Sequence, residues 1–177
     1  LTFAENERDE VLLTGGAVAG SGTWPALEYW VDGNVSVDGR AEEPAVLTLS
    51  PGSTFYMDDN VSFRIASSGA AALVARGTES APIRFLAGNS PSPGAWSGIG
   101  IYDQSVNAET VLDHVEIGYA GGSSLKGDLH LSDASPTIDH AWLHHSEEYG
   151  LYLDGDSAPS VGAVTYNDNA AGDTNPE

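Results

Sequence analysis

The chain has 177 residues and a formal charge of −20, with 26 acidic residues against six basic ones. Without cysteine it has no disulfide scaffold, cysteine–zinc site or thiol nucleophile, and so acidic a chain does not hold nucleic acid by charge. No stretch approaches the ~18 apolar residues of a membrane helix, yet 41% hydrophobic residues are enough for a folded domain rather than a disordered acidic tail.

In chain order, residues 1–23 read as an irregular N-terminal segment or as the end of a preceding repeat. The best helical stretch, Ala4 to Leu13, carries Glu5, Glu7, Arg8, Asp9 and Glu10 and reads as a loop or single turn. Gly15 to Gly22 reads as an excursion or linker. From residue 24 onward apolar residues alternate, which predicts short strands. Val31, Val35 and Val37 alternate around Gly33, and Val46, Leu47 and Leu49 run into Pro51-Gly52. Ile83, Phe85 and Ala87 follow, then Ile99 and Ile101, then Leu112, Val115 and Ile117. Leu129 and Leu131, and then Leu151 and Leu153, close the series. Asp58-Asp59-Asn60, Gly88-Asn89, Gly121-Gly122 and Asp154-Gly155 supply turns between them. No helical pattern separates the strands, which argues against βαβ units.

The second half repeats. Leu112-Asp113-His114-Val115-Glu116-Ile117 aligns with Ile138-Asp139-His140-Ala141-Trp142-Leu143, 26 residues on, and Val161 aligns with Ile138 after a further 23. Leu129-His130-Leu131 aligns with Leu151-Tyr152-Leu153 at 22 residues. A helix-free repeat of this length suits coils that stack strand on strand at ~4.8 Å and share one core. The predicted fold is all-β: a right-handed parallel β-helix, or β-solenoid, of about six or seven coils over residues 24–177. The alternative, an antiparallel sandwich or jelly roll, gives no reason for a repeat of coil length. Leu112, Ile138 and Val161 should form one inward ladder, and Leu129 and Leu151 another.

Particular strings carry a family likeness. Trp24, Tyr29, Val31, Gly33, Val35 and Val37, followed by Leu47-Thr48-Leu49-Ser50-Pro51-Gly52, resemble the opening of a bacterial right-handed parallel β-helix module of the pectate-lyase-like kind. Leu73 to Thr78, Ala81 to Phe85, Pro93 to Ile99 and Ile117 to Gly122 resemble its later segments. The resemblance spans residues 24–172. It implies an extracellular or cell-surface setting, often within a longer chain, and no particular chemistry. No positive n-region with an apolar stretch opens this chain, so no signal peptide is read in it.

Each candidate site stands beside a plainer reading. All five histidines lie between residues 114 and 145. The repeat places His114 beside His140 and Asp113 beside Asp139, a cluster able to bind a divalent metal or to act as the acid and base of an enzyme; the plainer reading is a polar ladder at a turn. His144, Asp154 and Asp156 extend the metal candidates. The last two lie on a turn with hard oxygens, as Ca²⁺ requires, but outside any EF-hand pattern, so Ca²⁺ is expected to be adventitious and no cofactor is required. Tyr29 and Trp30 are adjacent, so in a strand one faces outward and offers a sugar-stacking platform. Trp24, Trp96 and Trp142 read as packing at strand ends or coil joints. Arg64, Arg76 and Arg84 lie where stacked coils could gather them. The expected function is a non-catalytic, monomeric extracellular module, serving as a spacer or binding polysaccharide or another surface protein. The alternative is a polysaccharide lyase or glycoside hydrolase with its site around Asp113, His114, Asp139 and His140.

Overall fold

A computed structural model describes residues 10–175. Every regular element among them is a strand. β1 (Val11–Leu13), β2 (Gly16–Val18) and β3 (Gly22–Trp24) make the first turn, and β4 (Glu28–Val31), β5 (Val35–Val37) and β6 (Ala45–Leu49) the second. β7 (Thr54–Met57), β8 (Ser62–Ile65) and β9 (Ala71–Arg76) make the third, and β10 (Ile83–Ala87), β11 (Gly98–Ile101) and β12 (Val111–Asp113) the fourth. β13 (Val115–Gly118), β14 (Gly127–Ser132) and β15 (Thr137–Asp139) make the fifth, and β16 (Ala141–His144), β17 (Tyr149–Asp154) and β18 (Ser160–Val161) the sixth. β19 (Val164–Asn167) and β20 (Gly172–Thr174) open a seventh. Strands pair in parallel with their counterparts one turn away, forming sheets of seven, seven and six strands. The fold is a parallel β-solenoid of about six turns.

The alternating pattern explains this winding. Inward residues stack into rows, and burying each large one stabilises the fold by roughly 1.5–3 kcal/mol. On the first sheet the row is Val11, Tyr29, Phe55, Phe85, Ile117, Leu143 and Tyr166. It advances by 18, 26, 30, 32, 26 and 23 residues, so the middle turns are the longest. Tyr29 lies 4.8 Å from Phe55 at 10°, and Phe55 lies 4.7 Å from Phe85 at 12°. Trp24 stacks on Tyr29 at the N-terminal end of this column. Two ladders have the expected register, Leu112–Ile138–Val161 on the third sheet and Leu129–Leu151 on the second, but Val161, on the last strand of its sheet, is exposed rather than inward.

Four readings change. Within the segment read as irregular or as the end of a preceding repeat, Val11 to Trp24 forms a turn in place of the Gly15–Gly22 excursion, its strands pairing with β4, β5 and β6. Its strands are only three residues long and four glycines interrupt them, too little for a period-two signal. The expectation for residues 1–9 lies outside the described residues. Leu112, Val115 and Ile117 are not one run, because His114 adopts a left-handed conformation (φ 50°) and turns the chain from β12 into β13. Trp142 faces outward, unlike buried Trp96, whose indole N–H donates to the Gly118 carbonyl. The three arginines are dispersed: Arg64 lies on the second sheet and donates to Ser62 and Ser124, Arg84 lies on the first, and Arg76 ends β9 on the third.

Corners carry the remaining constraint. Among the described residues, six of the nine non-glycine residues with positive φ are Asn, Asp or His, the types that best tolerate the left-handed region. Elsewhere backbones simply pass too close for a side chain. A Cβ on Gly39 would sit 2.2 Å from the Ala45 nitrogen, and one on Gly69 would sit 2.2 Å from the Gly39 oxygen. These glycines let two successive turns touch main chain to main chain.

Candidate functional site

Two faces meet at the corner between the third and first sheets. Asp113 and Asp139 end β12 and β15 in register. His114 and His140 follow them, both with positive φ, so both rings leave the corner on the same side. The rings stack with centroids 4.4 Å apart at 17°. Nδ1 of His114 lies 2.8 Å from Asp113 Oδ1, and Nδ1 of His140 lies 3.1 Å from that same oxygen. Asp139 Oδ1 accepts the amides of His140 and Ala163, while its Oδ2 is 3.4 Å from His140 Nδ1. The Ala163 amide, foremost, holds the Asp139 carboxyl below its ordinary range, with the His140 amide adding to it against the cost of burial.

Next to this corner is the outer face of the first sheet. Arg84, Glu116 and Trp142 are neighbours in register on β10, β13 and β16. Arg84 Nε donates to Glu116 Oε2 at 2.9 Å, and His144 Nε2 is 3.3 Å from Glu116 Oε1. The His144 contact first, then Arg84, holds the Glu116 carboxyl below the usual range although burial opposes this. His144 is buried because Gly118 leaves it room: a Cβ there would lie 2.3 Å from the ring. Trp142 packs one side against His144, and its indole N–H donates to Asn167. It remains 41% exposed. Arg84, Glu116, Trp142, His114 and His140, with Thr78, Glu79, Pro82 and Val115, enclose an open depression of about 270 Å³.

The structure thus joins four of the candidates, Asp113, His114, Asp139 and His140, and separates the others. His144 is engaged with Glu116 and with His145, Nδ1 to Nδ1 at 2.9 Å. Asp154 and Asp156 occupy the corner between the second and third sheets, where the Asp156 amide donates to Asp133. Tyr29 is withdrawn from any ligand role at the surface: it is buried in the aromatic column, where burial raises its phenol pKa, and its hydroxyl donates to the Pro25 carbonyl. Trp30 is its outward neighbour, half-buried, with its ring against Gly88 and near Tyr56. The repeat made the His114–His140 pair visible. The same repeat pairs Glu116 with Trp142; Arg84 escaped because the turn from Phe85 to Ile117 is the longest, and no repeated string sets its register.

Asp128 was also missed. Alternation with Leu129 and Leu131 points it outward, yet it is fully buried at the start of β14. Oδ1 accepts the Ala120 amide at 3.1 Å, and Oδ2 has no partner. Burial raises its pKa well above the ordinary value, against backbone hydrogen bonds from Ala120 and His144. A carboxyl with a raised folded-state pKa stabilises fully below its unfolded pKa, and this stability is lost as pH rises through the folded value. Asp128→Asn should therefore raise stability at pH 8 by about 1–2 kcal/mol and do little at pH 3. Urea midpoints at the two pH values test this; an Asn variant less stable at pH 8 would show that the carboxylate is matched.

No family model, no curated protein and no solved structure matches the chain.

Proposed function

We propose that this chain is a non-catalytic β-solenoid module of a secreted or cell-surface protein, and that it binds a glycan at the depression on its first sheet. The observation that carries the reading is Trp142, an exposed indole whose N–H is fixed by Asn167, beside the Arg84–Glu116 pair. A flat apolar ring bordered by fixed donors and acceptors suits a sugar, which presents C–H faces and hydroxyl edges. The carboxylates a hydrolase would use support a binding role, since they are already engaged. Glu116 contacts Arg84 and His144, Asp113 contacts both histidines, and Asp139 holds two backbone amides. The likeness of residues 24–172 to bacterial, pectate-lyase-like β-helix modules supports the extracellular setting.

Trp142→Ala should weaken glycan binding by ~30-fold, or about 2 kcal/mol, as expected of an anchoring aromatic. A glycan array identifies the ligand, and titration of wild type and variant measures the loss. Reproducible hits that survive Trp142→Ala would move the site elsewhere, and a blank array would leave a spacer.

A further inference from the structure

We propose that Asp113, His114 and His140 form a binding site for one divalent transition-metal ion of the zinc class. The inference goes beyond glycan binding and does not depend on it.

The donors come from two successive turns and are set by the backbone. Asp113 and His114 close the fourth turn, and His140 stands one turn later at the equivalent corner. One donor atom from each of the three residues can be chosen so that all lie within 4.8 Å of one another. Both His Nδ1 atoms converge on one carboxylate oxygen, at 2.8 and 3.1 Å. A tetrahedral zinc with bonds of ~2.0–2.1 Å spaces its ligand atoms roughly 3.3 Å apart. The two nitrogen–oxygen spacings must open by only a few tenths of an ångström. The left-handed corners fix where each imidazole leaves the main chain, so little ordering remains for binding to accomplish.

Stacking of corner residues does not by itself make a site. Tyr119 and His145 also stack, at 4.9 Å, on the corner between the first and second sheets. What distinguishes His114 and His140 is the shared carboxylate in register with them. A second acid adds to it, since Asp139 keeps Oδ1 on two amides and presents Oδ2 at 3.4 Å from His140 Nδ1. Two imidazoles with a carboxylate favour Zn²⁺, Ni²⁺, Co²⁺ or Cu²⁺, whereas Ca²⁺ and Mg²⁺ take oxygen ligands. The net charge of −20 raises the local concentration of any cation. An ion held here would clamp the fourth turn to the fifth.

The test uses the whole chain, stripped with chelator, without sugar. Calorimetry with ZnCl₂ should give one ion per chain, and the melting temperature should rise by several degrees and fall back with EDTA. CaCl₂ should do neither. Asparagine tolerates the corner conformation, so His114→Asn/His140→Asn should fold and lose both effects. His140 is half exposed, which makes His140→Asn alone the safer variant; it should weaken binding by at least about 100-fold. His145→Asn, a change at another left-handed corner, should leave binding intact. A folded wild type that binds no zinc, calcium acting as well as zinc, or zinc binding undiminished in His140→Asn would overturn the proposal.

Discussion

Phe55→Ala is expected to lower stability by about 3–5 kcal/mol, a fall in melting temperature on the order of 10 °C for a chain of this size. Phe55 is fully buried between Tyr29 and Phe85, stacked on both at under 5 Å, with Phe63 edge-on at 6.1 Å. Its removal loses the transfer energy of the ring and leaves a void. The void cannot close readily, because the neighbours are held at fixed spacing by parallel ladders on either side. The aromatic contacts themselves add about 0.5–1.5 kcal/mol per pair. Val161→Ala is the comparison: the residue is 47% exposed on the last strand of its sheet, and the change should stay under about 1 kcal/mol. Urea unfolding followed by tryptophan fluorescence decides the matter. Equal losses for the two variants would mean that the column contributes no more than the edge.

Gly39→Ala should lose about 3 kcal/mol, near the top of the range for overpacking. The added methyl would meet the Ala45 nitrogen at 2.2 Å and the Ala70 and Glu43 oxygens at 2.8 Å. All three are main-chain atoms, and none can rotate away as a side chain does. The segment is also tied by paired hydrogen bonds: the Gly39 amide donates to the Ala70 carbonyl, and Arg40 and Glu43 exchange amide–carbonyl bonds. Gly20→Ala is the control, as nothing lies within 4 Å of the added methyl, and its effect should be within about 0.5 kcal/mol. Matching unfolding midpoints for the two alanine variants would mean that the turns can separate at Gly39 without cost.

What could be read from the sequence follows from the geometry of the turns. Leu112, Ile138 and Val161 form a ladder and recur at 26 and 23 residues, so the repeat and the row are the same observation. The third and fourth turns hide theirs. Residues 88–97 join β10 to β11 and residues 102–110 join β11 to β12, so the spacing grows while the strands stay short. Alternation showed that Tyr29 and Trp30 must face opposite ways but not which faces inward; the inward side is fixed by Phe55 and Phe85 in neighbouring turns. Asp128 broke the rule because its carboxyl is buried against a main-chain amide. The Ala120 amide, in the loop between β13 and β14, donates to its Oδ1. A one-dimensional pattern reports which face a strand residue takes, and it is silent about a hydrogen bond offered by the loop that leads into the strand.

The greater length of the middle turns has a mechanical consequence. In all three sheets the hydrogen bonds point along the solenoid axis, with the first described turn at one end and the last at the other. Tension between the ends would load these bonds end-on, so the molecule would peel turn by turn instead of shearing as a block. A turn set free would release 18 to 32 residues, roughly 60 to 110 Å of extended chain. The turns that would release most are those on either side of Phe85, where the stacked rings hold hardest. The solenoid would therefore behave as a spring that yields first at its ends and keeps its longest extension for the highest force.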